Sequence, residues 1–155
     1  RDLAQQSKIG LRRAAGVMPD GTPFAMPDTS PLPAAIDAPE NAAGQIAWLF
    51  MPLAAANTRE VEDGLNGSAS RYVPATEMLI DSTASLRIEE EIDVAHPRMT
   101  LELRRTPKAG FVGLALGRVL EVRDRAILFD ERFAPPLLVC SAWPVVDGWL
   151  DRTRP

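Results

Sequence analysis

Fourteen prolines and ten glycines are scattered through this chain, and they fall between short segments rich in Val, Ile, Leu and aromatic residues. Proline removes a backbone donor and fixes φ, so this punctuation leaves little room for long helices and favours many short strands joined by turns. The pattern predicts an all-β fold, an antiparallel β-sandwich of about nine strands. The 155 residues fit one domain, since at this size roughly two-thirds of the unfolded chain's surface can be buried. Hydrophobic residues make up 46% and charged ones 25%, which permits a packed core and argues against a disordered tail. The apolar runs stop well short of the roughly 20 residues that cross a bilayer.

Residues 9–17 alternate, with Ile9, Leu11, Ala15 and Val17 as the set assigned to the core face. Pro19-Asp20-Gly21 then supplies a preset φ, a side chain that bonds its own backbone and a residue free to take positive φ, so a tight turn should return the chain as a hairpin through residues 22–26. Prolines at 27, 31, 33 and 39 mark an extended crossover. Residues 45–53 read as a strand covered on both faces, and residues 57–70 as an exposed loop. Residues 99–104 alternate cleanly, with Met99, Leu101 and Leu103 pointing inward. Residues 111–122 form a long strand whose Gly113 and Gly117 mark a bulge or a close backbone contact. Residues 126–129 and 137–140 complete the strand set, and residues 145–152 can begin a helix. The sandwich is assigned to residues 1–144 and the start of a connection to residues 145–155.

Few residues invite chemistry. The net charge is -4 and the basic residues form no stripe, so nucleic acid is excluded as a partner. One cysteine, Cys140, excludes an internal disulfide and a multi-cysteine zinc site, and suits a reducing compartment. The one histidine, His96, precedes Pro97 in what reads as a solvent-facing turn, a poor place for a catalytic triad. Glu89 and Glu91 would share a strand face and could act as paired carboxylates, but a charge run on an edge strand is the plainer reading. Gly113 and Gly117 precede no Lys-Ser/Thr and form no phosphate loop. Trp48, Phe111, Phe129 and Phe133 read as core residues. No catalytic residue, metal ligand or cofactor follows from the sequence.

Several segments resemble the TssK family of type VI secretion. The most distinctive is Lys8-Ile9-Gly10-Leu11-Arg12-Arg13-Ala14-Ala15-Gly16-Val17-Met18-Pro19-Asp20-Gly21-Thr22-Pro23-Phe24. Residues 45–53 are similar to the family's apolar strand, and Arg71-Tyr72 to the point where a strand resumes after a variable loop. Residues 117–122 and 128–136, ending on Phe133, Pro135 and Pro136, look like its closing signature.

The resemblance implies a shoulder domain akin to siphophage receptor-binding proteins, forming a homotrimer and docking on the TssF and TssG wedge of the baseplate. It implies no catalysis and no cofactor. A helical neck and a head that contacts the membrane complex of TssJ, TssL and TssM would lie beyond this chain, as would the family's N-terminal segment with its tryptophan and Pro-Gln-His-Phe stretch. The implied location is cytoplasmic, with the baseplate docked at the inner membrane of a Gram-negative bacterium. The contact rim is placed at Phe133, Pro135, Pro136, Trp143 and Trp149, because rigid prolines and aromatics give contact area at low entropic cost. A carbohydrate- or receptor-binding sandwich is the alternative, which exposed aromatics on one flat face would favour. A small hydrolase using residues 89–91 is a third.

Overall fold

The computed structural model describes residues 7–54, 60–61, 70–80 and 89–153, apart from the side chains of residues 144, 149–151 and 153. The described strands are β1 (Lys8–Ile9), β2 (Ala14–Val17), β3 (Pro23–Met26), β4 (Ile36–Asp37), β5 (Ile46–Pro52), β6 (Tyr72–Ile80), β7 (Glu89–Pro97), β8 (Thr100–Arg104), β9 (Phe111–Arg123) and β10 (Ala126–Phe129). One helix, α1 (Pro144–Thr153), and 3-10 turns at Glu40–Ala42 and Cys140–Ala142 complete them. The fold is all-β, as the proline and glycine spacing requires. Most of the loop assigned to residues 57–70 lies outside the described residues.

β5 organises the molecule. It lies inside a four-stranded sheet of order β10-β9-β5-β8, antiparallel to both neighbours, so its backbone is paired on both edges. A strand so placed needs apolar residues on both faces, and Ala47, Leu49, Phe50 and Met51 are all buried. On one face Leu49 and Met51 meet Met18, Phe24 and Met26 of the β2–β3 hairpin together with Met99, Leu101 and Val112. That is the sandwich contact. A second cluster joins Ile9, Ala38, Ala42, Ala47, Val119 and Ile127. On the opposite face Phe50 stacks on Trp48 at 5.6 Å and meets Phe111 edge-on at 6.1 Å. Gly113 pairs across from Phe50, and a Cβ there would lie 2.5 Å from the Phe50 ring, so this position takes only glycine without rearrangement.

The hairpin turn forms by local chemistry. Gly21 takes φ +90°, the Thr22 N–H donates to Asp20 Oδ1 at 3.1 Å, and Met18 and Thr22 close the ladder at 2.8 Å. The phase assigned to residues 9–17 is corrected by the structure. β1 ends at Ile9 and pairs with β4, while β2 begins at Ala14 and pairs with β3. The chain leaves its ladder between them, so the period of two restarts: Met18 is buried and Ala14 and Gly16 half-buried, while Ala15 and Val17 face out.

Residues 137–140 also depart from expectation. They form no strand, since Pro135 and Pro136 lack donors and the segment runs over a sheet face instead of along a strand edge. The helix expected over residues 145–152 is present as α1. β6 and β7 pair with each other from Tyr72↔Pro97 to Ile80↔Glu89, forming a separate two-stranded hairpin.

Candidate protein-docking surface

A bulge shapes the surface of interest. Along the β5–β9 ladder Ala47 faces Gly117 and Trp48 faces Ala115, so Leu116 is the extra residue and its side chain is re-aimed. Leu116 lines both a groove of about 600 Å³ and a neighbouring hollow of about 250 Å³. One wall of the groove is β2 with Phe24, its floor is Leu49 and Leu114, and its other wall is the segment from Pro135 to Val139. Gly16 lets the Phe24 ring close in, to 3.1 Å from where a Cβ would stand. The hollow is bounded by Phe129, Gly117, Asp130 and Trp143. Leu138 is 73% and Val139 60% exposed, an apolar lip that the fold itself leaves uncovered.

The structure brings together part of the predicted rim. Pro135 and Pro136 line the groove and Trp143 the adjoining hollow. Phe133 does not line the groove: the turn after β10 holds it, with its N–H donating to the Asp130 carbonyl at 3.0 Å and Arg118 lying 5.2 Å from its ring centroid. The Trp149 side chain lies outside the described residues. Leu137, Leu138 and Val139 were not singled out from sequence, because an apolar run after a proline pair reads as another strand.

The assignment of four aromatics to the core is corrected as well. Phe129 is exposed at the sheet edge, where it covers Gly117, while Trp48, Phe111 and Phe133 are half-buried. The buried aromatics are Phe24 and Phe50. Among the described side chains only Phe129 is an exposed aromatic, so these residues offer no flat aromatic face.

The β2–β3 turn is tied to β5 by a buried arginine that the sequence marks only as a strand restart. The Arg71 side chain is 6% exposed and Asp20 22%. Its Nη1 donates to the Pro52 carbonyl at 2.8 Å, and its Nη2 donates to both Asp20 Oδ2 and Thr22 Oγ1. Three separate elements therefore meet on one guanidinium: the β2–β3 turn, the end of β5 and the start of β6. Burial alone would raise the Asp20 carboxyl, but hydrogen bonds from Arg71 and Thr22 outweigh it and hold the group below the usual carboxylate range. Burial opposes the Arg71 charge too, and Asp20 more than restores it. Arg98 adds to the lock, its Nε donating to the Ser70 carbonyl at 3.0 Å and its N–H to the Arg71 carbonyl at 2.9 Å.

Other candidates for chemistry disperse. His96 is not in a turn; it sits within β7, paired to Val73, with Nε2 3.2 Å from Glu77 Oε1 and the side chain 17% exposed. It was misplaced because the Pro97 that follows ends the strand one residue later. Glu89, Glu90 and Glu91 are exposed on β7. Cys140 is exposed. Among the described residues no group of three or more His, Cys, Asp or Glu could hold a metal ion.

Comparison with known proteins gives a consistent picture. Residues 1–154 match the family described as Bacterial Type VI secretion, EvfL, ImpJ, VasE. The chain is 32% identical over 144 residues to the type VI secretion system baseplate component TssK1 of Pseudomonas aeruginosa, covering 92% of this chain and 32% of that protein. It superposes on a crystal structure of TssK with a TM-score of 0.85 at 29% identity, over 97% of this chain and 34% of that one. A TssK-TssF-TssG baseplate subcomplex solved by cryo-electron microscopy shares the fold, with a TM-score of 0.83 at 22% identity over 97% of this chain and 51% of that one. The chain thus spans about a third of the length of the curated relative.

Proposed function

The chain belongs to the TssK family of bacterial type VI secretion proteins, and on that premise we propose that it is a non-catalytic assembly part whose apolar groove is gripped by a wedge protein of the TssF and TssG kind. The observation that carries this reading is the lip of Leu138 and Val139, 73% and 60% exposed above a groove of about 600 Å³. An apolar lip on a rigid sheet suits a protein partner, because burying it needs no side-chain reordering beneath. The relatives that support the wedge as partner are TssK chains solved together with TssF and TssG.

In this reading residues 1–144 are the shoulder, α1 begins the connection to further domains, copies of the shoulder assemble as a homotrimer, and contact with TssJ, TssL and TssM belongs to the head. The site of action is the cytoplasmic side of the inner membrane. No described helix is long and apolar enough to cross a membrane.

Co-purification of the chain with TssF and TssG from the same secretion cluster, with mass measured by light scattering, tests the proposal. Stable co-elution that is lost in Leu138→Asp/Val139→Asp supports it. A chain that ignores both proteins, or a variant that binds them as well as the original, removes the groove from the account.

A further inference from the structure

The groove runs along strand edges and not only across strand faces. It is lined by four consecutive residues of β2, Ala14 to Val17, and by three of β9, Leu114 to Leu116. Successive side chains of a strand point to opposite faces, so a hollow that touches every residue in turn meets the backbone itself. β2 pairs with β3 alone, in a two-stranded sheet. The Met18 N–H donates to the Thr22 carbonyl at 2.8 Å, which sets the phase of that ladder: Gly16 turns its backbone polar groups toward Phe24, and Ala15 and Val17 turn theirs outward. Pro23, opposite Val17, has no N–H to offer, and the Ala25 carbonyl, opposite Ala15, is taken by the Thr29 N–H at 2.8 Å, both as this phase requires. Among the described residues no backbone bond reaches the outer edge of β2.

β9 is also open beside the groove. β10 pairs with it only from Val119 to Arg123, and the Asp130 N–H extends that edge by one bond, to the Arg118 carbonyl at 2.8 Å, before the chain leaves for the groove's far wall. Open edges are ordinarily guarded by charge, proline or a bulge. β9 has its bulge at Leu116 and β7 carries Glu89 to Glu91, but β2 reads Ala-Ala-Gly-Val, with neither charge nor proline. Its small residues let another backbone approach, and Ala15 and Val17 are both exposed, Val17 by 41%.

We infer that the wedge protein enters this groove as an extended strand and pairs with the outer edge of β2, turning the β2–β3 pair into a three-stranded sheet. Its backbone donates to and accepts from Ala15 and Val17. Every second side chain of the incoming strand points down to Leu49 and Leu114, which calls for apolar residues there, while the lip of Leu138 and Val139 closes over it from the far side. Main-chain bonds give the affinity and the alternate apolar residues select the sequence. The bound segment is therefore about four residues long, matching Ala14–Val17, alternately apolar and polar, with no proline at its paired positions. This rests on the groove reading proposed above and adds the form in which the partner binds.

Amide exchange followed by nuclear magnetic resonance, together with titration calorimetry against TssF–TssG, tests this. In the free chain Ala15 and Val17 should exchange fast and Gly16 and Met18 slowly; in the complex Ala15 and Val17 should slow as well. Ala15→Pro removes one outward N–H where an edge strand tolerates proline, so it should fold by circular dichroism yet bind about tenfold more weakly, whereas Ala15→Ser should stay within about twofold of the original. Ala15 and Val17 already protected in the free chain, the same amides still fast in the complex, or a folded Ala15→Pro that binds unchanged overturns strand addition and leaves the groove as the docking surface. A chain that binds neither protein overturns both.

Discussion

Replacing Arg71 by Met keeps most of the side-chain volume and removes the charge that joins three elements, which isolates the lock from simple packing. Losing one partner of a buried ion pair costs about 3–5 kcal/mol when the other stays buried. Here Asp20 is 22% exposed, so water can resolvate its carboxylate and the lower end applies. The Pro52 carbonyl loses its donor in the same step. The expected loss is about 3 kcal/mol, which for a chain of this size lowers Tm by about 6–12 °C. Urea unfolding followed by circular dichroism reads the change, and a cycle with Asp20→Asn should show coupling of about 1–2 kcal/mol. Hydrogen exchange should quicken together at Thr22 and Tyr72, which lie far apart in sequence and are joined by the hydrogen bond from Arg71 to Thr22. A loss below about 1 kcal/mol, or strict additivity in the cycle, would refute the claim that Arg71 holds these elements together.

The remaining predictions concern acidity, close packing and the groove. Because the Asp20 carboxyl is held below its unfolded value, its stabilisation is complete above about pH 4 and fades as pH falls through the folded value; Asp20→Asn should therefore flatten the acid limb of the stability profile while leaving its slope near neutrality unchanged. Gly113→Ala places a Cβ 2.5 Å from the fully buried Phe50 ring and should destabilise the chain by about 1–3 kcal/mol, measurable in urea. Gly117→Ala, whose Cβ would stand 3.3 Å from Phe129 at an exposed edge, should be felt less in the same assay. Leu138→Asp/Val139→Asp should leave stability within about 0.5 kcal/mol, because both residues already face solvent.

The legible parts of the fold are those specified by short-range chemistry. The Asp20-Gly21 turn declares itself because its hydrogen bonds and positive φ are local, and β5, β8 and β9 declare themselves because unbroken alternation or continuous apolarity maps onto one sheet. The alternation over residues 9–17 misled because two strands in different sheets meet within it, and periodicity carries no sign of where a ladder is abandoned. Residues 137–140 misled for a related reason: apolar content says that a segment is covered or covers something, not that it pairs. The Arg71 lock spans 49 to 51 residues of separation to Thr22 and Asp20, a distance over which no pattern in a single sequence speaks. Of the expected rim, Pro135 and Pro136 line the groove and Trp143 the hollow beside it, whereas the lip of Leu138 and Val139 needed the sheet face beneath it to be seen.

The account stands on the groove being what a baseplate partner holds. Hydrogen–deuterium exchange of the chain alone and bound to TssF–TssG addresses this directly. Slowed exchange confined to residues 14–17 and 137–142, with the β6–β7 hairpin unchanged by the wedge, is the predicted footprint. Protection that avoids both groove walls would contradict it.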